Sequence, residues 1–304
     1  MLIALATGVA GCSGSGSPAA QAPDLPAQTR TLEAPPDEME PSEKPVTERE
    51  RYVALGDSYT AGPLVPTTDL ANGCLRSDHN YPSLLAARLD LRLRDVSCSG
   101  ATTGDLVQRQ RTVQDASVPP QLHAVDQRTD LVTLGIGGND LGLFSTLVQA
   151  CLGLRAQDPS GSPCADSDVG RDVLTGLDRI GDNVARTLDR IGRRAPRARI
   201  VLVGYLRIAP ATGSCPGPLP FASGDVAFGD RVIRALAAEL RQAARTADVD
   251  YLDMYTASEG HDVCSKQPWV NGPESTPGVA AAFHPLAAGM AAVADRLEDL
   301  LAAG

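Results

Sequence analysis

The stretch RYVALGDSYTAG, residues 51–62, decides the fold. Its first six residues form a short apolar run that ends in glycine, which is typical of a buried strand. Ser58 comes just past the strand, where a helix would begin. A serine there can be a nucleophile whose own backbone N–H points at developing negative charge. Serine is also a favoured helix N-cap, and for a lone serine that is the commoner role.

Further apolar runs alternate with amphipathic stretches along the chain. After Val173 and again after Val226, apolar residues recur every three to four positions, which predicts helices. A third helix is expected after Phe283, with Pro285 at its first position. This alternation predicts a parallel sheet covered on both faces, with ligands beyond the carboxyl ends of the strands. The other predicted strands are 91–98, 130–136, 199–205 and 249–254.

Composition argues against a nucleic-acid partner. The 304 residues carry 27 basic and 37 acidic side chains, a formal net charge of −10, and only 4% of them are aromatic. A negative chain repels phosphate backbones, and few aromatics are available for base stacking. The length suits one large α/β domain or two small ones.

The N-terminus resembles an export signal. Residues 1–11 (MLIALATGVAG) are apolar but too short to span a bilayer. Residues 9–12 (VAGC) resemble a bacterial lipobox, in which Cys12 would take the lipid and hold the protein at the membrane surface. The alternative is an ordinary secretory signal with a chance cysteine. No Lys or Arg precedes the apolar run, so we expect the natural start to lie upstream.

Residues 12–50 are predicted to be a disordered tether. From residue 13 to 50 the segment contains seven prolines and almost no large apolar residues, so it cannot bury enough surface to offset ordering entropy. The protein is therefore expected to be exported, as a cell-membrane lipoprotein or a secreted protein, with a folded domain at 51–304.

Cysteine usage agrees with export. Apart from Cys12 there are six cysteines, and an even number in an exported chain predicts three disulfides. Six cysteines allow 15 pairings, and spacing does not choose among them. The chain has no C-x-x-C, so zinc-ribbon and thioredoxin sites lack their motif.

Three more positions near predicted strand or helix ends are chemically suggestive. Gly100 follows the second strand, where glycine allows a backbone N–H to approach a bound group closely. Asn139 lies in GIGGND (135–140), and its amide can donate to an oxyanion. His284 precedes Pro285 and can act as a general base. The remaining histidines, each expected to be a surface or packing residue, are His79, His123 and His261.

Taken together, these blocks resemble the SGNH (GDSL-type) hydrolases, in their exported actinobacterial lipase and esterase branch. The resemblance rests on GDS at 56–58, Gly100, GGND at 137–140 and His284-Pro285, in that order. It implies a flavodoxin-like three-layer α/β/α sandwich with about five parallel strands, and neither cofactor nor metal. Ser58 resembles the nucleophile and His284 the base. The oxyanion hole would consist of the backbone N–H groups of Ser58 and Gly100 and the side chain of Asn139.

One position departs from the common pattern of that family. Many members have an aspartate three residues before the histidine, where this chain has Ala281. We hypothesise a Ser58–His284 dyad in which the Ala281 carbonyl orients the imidazole, since that ring N–H needs only an acceptor. The rival hypothesis is a distant acid such as Asp262. The resemblance also implies three disulfides between successive cysteines: Cys74–Cys98, Cys151–Cys164 and Cys215–Cys264.

The resulting expectation is a monomeric carboxylic ester hydrolase that acts through an acyl-Ser58 intermediate. Its substrate would be a small-molecule or lipid ester with an apolar chain. A carbohydrate O-deacetylase is the competing enzyme, and a surface lipoprotein that binds a ligand without catalysis is a further alternative. Residues near the motifs that could line an acyl pocket, or simply pack in the core, are Leu64, Val65, Leu143, Phe144, Trp269 and Phe283.

Overall fold

The computed structural model describes residues 49–303. Its strands are β1 (Arg51–Gly56), β2 (Arg92–Asp95), β3 (Gln110–Arg111), β4 (Ser117–Val118), β5 (Leu131–Gly135), β6 (Arg199–Val203) and β7 (Asp250–Leu252). Its α-helices are α1 (Ser58–Ala61), α2 (Tyr81–Arg88), α3 (Leu143–Leu154), α4 (Asp168–Thr175), α5 (Leu177–Arg194), α6 (Ser223–Ala247), α7 (Met254–Ala257) and α8 (Ala287–Ala302). Single 3-10 turns span Thr103–Leu106, Gln121–Ala124 and Asp140–Gly142.

Five strands form one parallel sheet in the order β2-β1-β5-β6-β7. This is the flavodoxin-like order. From β1 the chain adds β2 on one side and then β5, β6 and β7 on the other, so the order in which strands are added reverses between β1 and β5. Parallel crossovers are right-handed, so the connection to β2 runs on the opposite face from those to β6 and β7. Helices α2 and α8 accordingly pack together, and α5 packs against α6. The predicted three-layer sandwich is confirmed.

The register of β1 and β5 positions the predicted nucleophile. Gly56 pairs with Gly135, so both strands end at the same level of the sheet. Directly beyond, the Asp57 N–H donates to the Gly135 carbonyl over 3.0 Å. The GDS block and the GGND block therefore leave the sheet side by side, at the switch point where the fold places ligands.

The bounds of several elements differ from those predicted. The regular part of β2 ends at Asp95, but the Val96 and Cys98 N–H groups still donate to the Ala54 and Gly56 carbonyls of β1, each over 3.0 Å, so the hydrogen bonding continues to the predicted end. β7 stops at Leu252 because Asp253 caps α7. The helix predicted after Val173 is two helices, α4 and α5, which meet at Gly176, and the first of them already begins at Asp168.

Pro285 does not begin the last helix, which was the expectation. The chain remains extended there, where Pro285 bridges Val270 and the Leu286 N–H donates to the Trp269 carbonyl over 2.8 Å. Leu286 is the N-cap, and α8 begins at Ala287.

The disulfides join the three pairs that the family resemblance implies: Cys74–Cys98, Cys151–Cys164 and Cys215–Cys264. The first bond holds the loop after α1 against the segment that leads to Gly100, where the Ser99 N–H also donates to the Cys74 carbonyl over 3.0 Å. The second closes the chain after α3 back onto that helix.

The predicted signal at 1–11, Cys12 and nearly all of the predicted tether at 12–50 lie outside the described residues. Glu50, the last residue assigned to the tether, accepts the Arg92 N–H over 2.8 Å and so already extends the ladder between β1 and β2. Within the part of the chain that the structure describes, no helix is both long and apolar enough to cross a bilayer.

Candidate active site

Ser58 is the first residue of α1, directly beyond the sheet. The N-cap of this helix is Asp57, whose carboxylate accepts the Tyr59 N–H over 2.8 Å, so capping is not the role of Ser58. Gly56 makes the sharp turn possible, because a Cβ there would lie 2.3 Å from the Thr60 hydroxyl and 2.5 Å from the Gly135 carbonyl.

The structure brings Ser58 and His284 together across 226 positions of sequence. His284 Nε2 lies 2.8 Å from Ser58 Oγ. The other ring nitrogen, Nδ1, lies 2.7 Å from a backbone carbonyl oxygen. If Nδ1 carries the proton and donates to that carbonyl, Nε2 presents its lone pair to the serine hydroxyl.

The carbonyl that receives Nδ1–H belongs to Ala282, which corrects the prediction of Ala281. The Ala281 oxygen is already used, because it accepts the His284 backbone N–H over 3.2 Å and the Asn271 side-chain amide over 3.2 Å. Phe283 stands between them with a φ of 57°, and this turn aims the ring at the carbonyl two residues back rather than three.

The structure does not pair Asp262, the candidate distant acid, with His284. Its carboxylate accepts the Cys264 N–H over 2.9 Å, within its own loop. Since Nδ1 of His284 is bonded to Ala282, no ring N–H remains for a second acceptor. The backbone-carbonyl hypothesis therefore fits the structure, with the carbonyl moved by one residue.

Burial lowers the pKa of His284 below its ordinary value of 6.5, and the Ala282 carbonyl opposes this shift only in part. Desolvation disfavours the charged imidazolium. The ring is therefore neutral at pH 7 and able to accept a proton.

The predicted oxyanion donors differ in their hydrogen bonding. The Asn139 amide donates one N–H to the Ala101 carbonyl over 3.0 Å, which leaves its second N–H available. Both Asn139 and Ser58 line one cavity, which Gly100 does not line. Gly100 has a φ of 81°, and its N–H makes no hydrogen bond to any of the described residues.

Gln110 fixes the peptide that carries the Gly100 N–H, a contact that sequence reasoning missed. Its buried side chain donates to the Ser99 carbonyl over 2.9 Å. In a trans peptide the C=O and N–H point in opposite directions, so this bond aims the Gly100 N–H away from Gln110.

Comparison with known proteins identifies the family of the chain. Residues 54–292 match the GDSL-like Lipase/Acylhydrolase family. The chain belongs to this family. Over 269 residues it is 39% identical to Lipase 2 of Streptomyces coelicolor, which covers 82% of this chain and 85% of that protein. A lipase from Streptomyces rimosus is 34% identical over 251 residues, covering 78% and 81% of the two chains.

Two solved structures show the same architecture. A phospholipase A1 from Streptomyces albidoflavus superposes with a TM-score of 0.69 at 26% identity, covering 83% of this chain and 99% of the other. An extracellular lipase from Streptomyces rimosus gives 0.69 at 29% identity, covering 82% and 99%. The protein is a serine ester hydrolase of the GDSL-like family. Together with three disulfides, these relatives support an exported protein.

Two tyrosines link the segments of the candidate active site of this GDSL-like hydrolase by hydrogen bonds. Neither was predicted from the sequence. The Tyr205 hydroxyl donates to the Asp57 carboxylate and accepts the Gly138 N–H over 2.7 Å, so it joins the first and third family blocks. The Tyr59 hydroxyl donates to the Phe283 carbonyl over 2.6 Å. Both follow a strand end, which is the signal that could have identified them.

Burial raises the pKa of Asp57 to about 7, although hydrogen bonds from Tyr205 and the Tyr59 N–H oppose the shift. Desolvation is the larger effect because this carboxyl is almost entirely inaccessible to water. Asp57 is therefore partly protonated near neutral pH, one residue before Ser58.

A cavity of about 360 Å³ opens beside Ser58 and His284. Phe144 and Phe283 line it, as predicted. Val65 and Leu143 are instead buried in the core, and Trp269 stacks on His261 with ring centroids 3.9 Å apart. The predicted lining residues that do not reach the cavity are therefore Leu64, Val65, Leu143 and Trp269. Most of its wall is apolar and comes from α3, α6 and the loop before α6: Leu147, Val148, Leu152, Ile208, Ala209, Leu219, Phe221 and Ile233.

No group of three His, Cys, Asp or Glu residues between 49 and 303 is arranged to hold a metal ion.

Proposed function

We propose that Ser58 is the nucleophile and His284 the general base of a carboxylic ester hydrolase. The observation that carries this proposal is the 2.8 Å contact between Ser58 Oγ and His284 Nε2 at the wall of an apolar cavity. A hydroxyl is a poor nucleophile until a nearby base accepts its proton, and this distance is within reach of that transfer.

The reaction would proceed in two halves. As Ser58 Oγ bonds to the ester carbonyl carbon, its proton passes to His284 Nε2 and the carbonyl electrons move onto oxygen. Collapse of that tetrahedral intermediate breaks the bond to the alcohol oxygen, which takes the proton from His284, and leaves an acyl-Ser58. Water then attacks the acyl carbon while its proton passes to His284. Collapse of this second intermediate breaks the bond to Ser58 Oγ, which takes the proton back from His284, and releases the acid.

The oxyanion would be stabilised by the backbone N–H groups of Ser58 and Gly100 and by the free amide hydrogen of Asn139. One such donor is typically worth about 3–4 kcal/mol in the transition state. The Ala282 carbonyl would hold the His284 ring in its reactive tautomer. As an uncharged acceptor it would stabilise the imidazolium less than an aspartate does.

An ester with an apolar acyl chain is the substrate that the cavity favours. Its wall is mostly aliphatic and aromatic, so burial of an acyl chain would stabilise the complex by about 0.8 kcal/mol per methylene. An acetyl group would leave most of that wall uncovered, which argues against a carbohydrate O-deacetylase. A non-catalytic binding protein would have no need of the hydrogen bond between Ser58 and His284.

We also propose that the protein is monomeric and is either a lipoprotein anchored at the membrane surface through Cys12 or a secreted enzyme. The support for anchoring is the lipobox-like sequence VAGC at 9–12. Mass spectrometry of the mature N-terminus tests it. A diacylated Cys12 is the expected result, and an unmodified N-terminus beyond that residue would leave the secreted form.

The test of the enzymatic proposal is a series of p-nitrophenyl esters from acetate to palmitate. We expect the wild type to prefer chains longer than acetyl and Ser58→Ala to lose activity on all of them. Ser145→Ala is the matched control, because Ser145 lines the same cavity but its hydroxyl donates only to the Gly142 carbonyl. Activity on acetate alone would favour a deacetylase, and unchanged activity in Ser58→Ala would refute the proposed nucleophile.

A further inference from the structure

Gly229 is a buried glycine in the interior of α6, and it lines the cavity beside Ser58 and His284. Glycine destabilises a helix interior relative to alanine, because it loses more conformational freedom on folding. A buried glycine at such a position therefore calls for a physical reason.

Neither backbone conformation nor close packing supplies that reason. Gly229 is not among the glycines with positive φ. A Cβ built on it would lie 3.5 Å from a Phe221 ring carbon and 3.6 Å from Ala209 Cβ, which are ordinary contact distances. At Gly181 in α5, by contrast, a Cβ would meet Glu239 atoms at 3.0 and 3.2 Å, so tight helix packing explains that glycine.

A side chain at position 229 would instead reduce the cavity. The two residues it would contact, Phe221 and Ala209, both line this space, as does Ile233 one turn further along α6. The helix is held in this rotation by the next residue, Asp230, whose carboxylate accepts the Tyr255 hydroxyl over 2.7 Å. The face of α6 that bears Gly229 is thus fixed toward the cavity.

We propose that Gly229 is a specificity-determining residue, which keeps open the part of the cavity that receives the longer acyl chains. This inference rests on the proposed function, since it assumes that the cavity holds the acyl group of the ester. Larger side chains at 229 exclude long chains by volume. An acetyl group is too short to fill this space, so its hydrolysis should depend less on residue 229 than that of a longer chain.

The experiment compares Gly229→Ala and Gly229→Leu with the wild type on p-nitrophenyl acetate and octanoate. Gly192→Ala and Gly192→Leu are the matched controls. Gly192 is a helical glycine in α5, outside the cavity, and its added Cβ would have only Ile200 within reach, at 4.0 Å. The melting temperature of each variant is measured alongside.

For Gly229→Leu we expect kcat/KM for octanoate to fall at least about tenfold, the scale of a steric change in an apolar pocket. The octanoate-to-acetate ratio of kcat/KM is the readout, and we expect it to fall several-fold in this variant. Gly229→Ala should show the same trend more weakly, while its melting temperature rises by about 1–4 °C. The Gly192 variants should leave the octanoate-to-acetate ratio unchanged.

Each outcome decides the matter. An unchanged ratio in a folded Gly229→Leu would overturn the inference and leave the proposed function intact. If Gly229→Leu does not fold, the test is the octanoate-to-acetate ratio of the stabilised Gly229→Ala. An unchanged ratio in that variant would overturn the inference. A wild type that hydrolyses acetate alone, or no ester at all, would overturn the inference together with the proposed substrate class.

Discussion

The hydroxyl of Tyr59 donates to the carbonyl of Phe283 over 2.6 Å, across 224 positions of sequence. Tyr59 directly follows Ser58, and Phe283 directly precedes His284. The Tyr59 ring also lies 5.4 Å from the His284 ring, centroid to centroid. This buried contact ties the nucleophile turn to the turn that carries the base, and so helps to fix the distance between the reacting groups.

Tyr59→Phe should therefore impair turnover more than binding. The substitution keeps the aromatic packing and removes one hydrogen bond, so we expect kcat to fall about three- to tenfold with little change in KM. The measurement is steady-state hydrolysis of p-nitrophenyl octanoate.

Tyr52→Phe is the control for that variant. The Tyr52 hydroxyl makes a comparable buried hydrogen bond to Thr133, over 2.7 Å, within the sheet. It should lose similar stability without loss of kcat. Equal kcat in Tyr59→Phe and the wild type would show that the contact does not position His284.

The pH dependence of activity should follow His284. Because burial lowers the pKa of His284 below 6.5, the imidazole remains neutral to lower pH than a free histidine. We expect kcat/KM to be maintained above pH 6.5 and to decline on the acid side with an apparent pKa below that value. The measurement is kcat/KM from pH 4 to 8 in an assay that is stopped before product is read. An acid limb centred above pH 6.5 would contradict the buried environment of His284.

Asp57 should make stability depend on pH in the opposite sense from an ordinary carboxylate. Its pKa of about 7 exceeds its usual 3.8, so the folded state binds more protons than the unfolded state between these values. Its stabilising contribution is complete below 3.8 and is lost as pH rises through 7.

Asp57→Asn removes that titration. The free energy of unfolding of Asp57→Asn minus that of the wild type should increase by at least about 1 kcal/mol from pH 5 to pH 8. One pKa unit corresponds to about 1.4 kcal/mol. Urea denaturation at the two pH values, with the disulfides intact, gives the difference. A constant difference would mean that Asp57 titrates normally.

Gln110→Met should weaken catalysis through Gly100. The methionine fills the buried space but cannot donate to the Ser99 carbonyl, so the peptide bearing the Gly100 N–H loses its anchor. We expect kcat to fall about tenfold while KM changes little, since a misplaced donor costs mainly transition-state stabilisation. A proportional rise in KM with constant kcat would assign Gln110 a role in substrate binding instead.

The sequence predicted those parts of the fold that depend on local pattern. β1 has the predicted bounds of Arg51–Gly56, and the blocks around Ser58, Asn139 and His284 lie near strand or helix ends, as expected. Strand ends were less predictable, because a single side chain such as Asp253 can end a strand by capping the helix that follows it.

The finer parts of the site depend on three-dimensional contacts that periodicity does not encode. Whether Ala281 or Ala282 receives the His284 ring N–H depends on one turn and on the positive φ of Phe283. The cavity wall comes largely from α3 and α6, which lie far from the motifs in sequence, so proximity along the chain identified only Phe144 and Phe283.

The most direct test of the central claim is peptide mapping by mass spectrometry after reaction with a fluorophosphonate. We expect a single adduct on Ser58, slow labelling in His284→Ala and no labelling in Ser58→Ala, because only an activated serine attacks the probe. An adduct on another residue, or equal labelling of Ser58→Ala and the wild type, would contradict the assignment of Ser58 as the nucleophile.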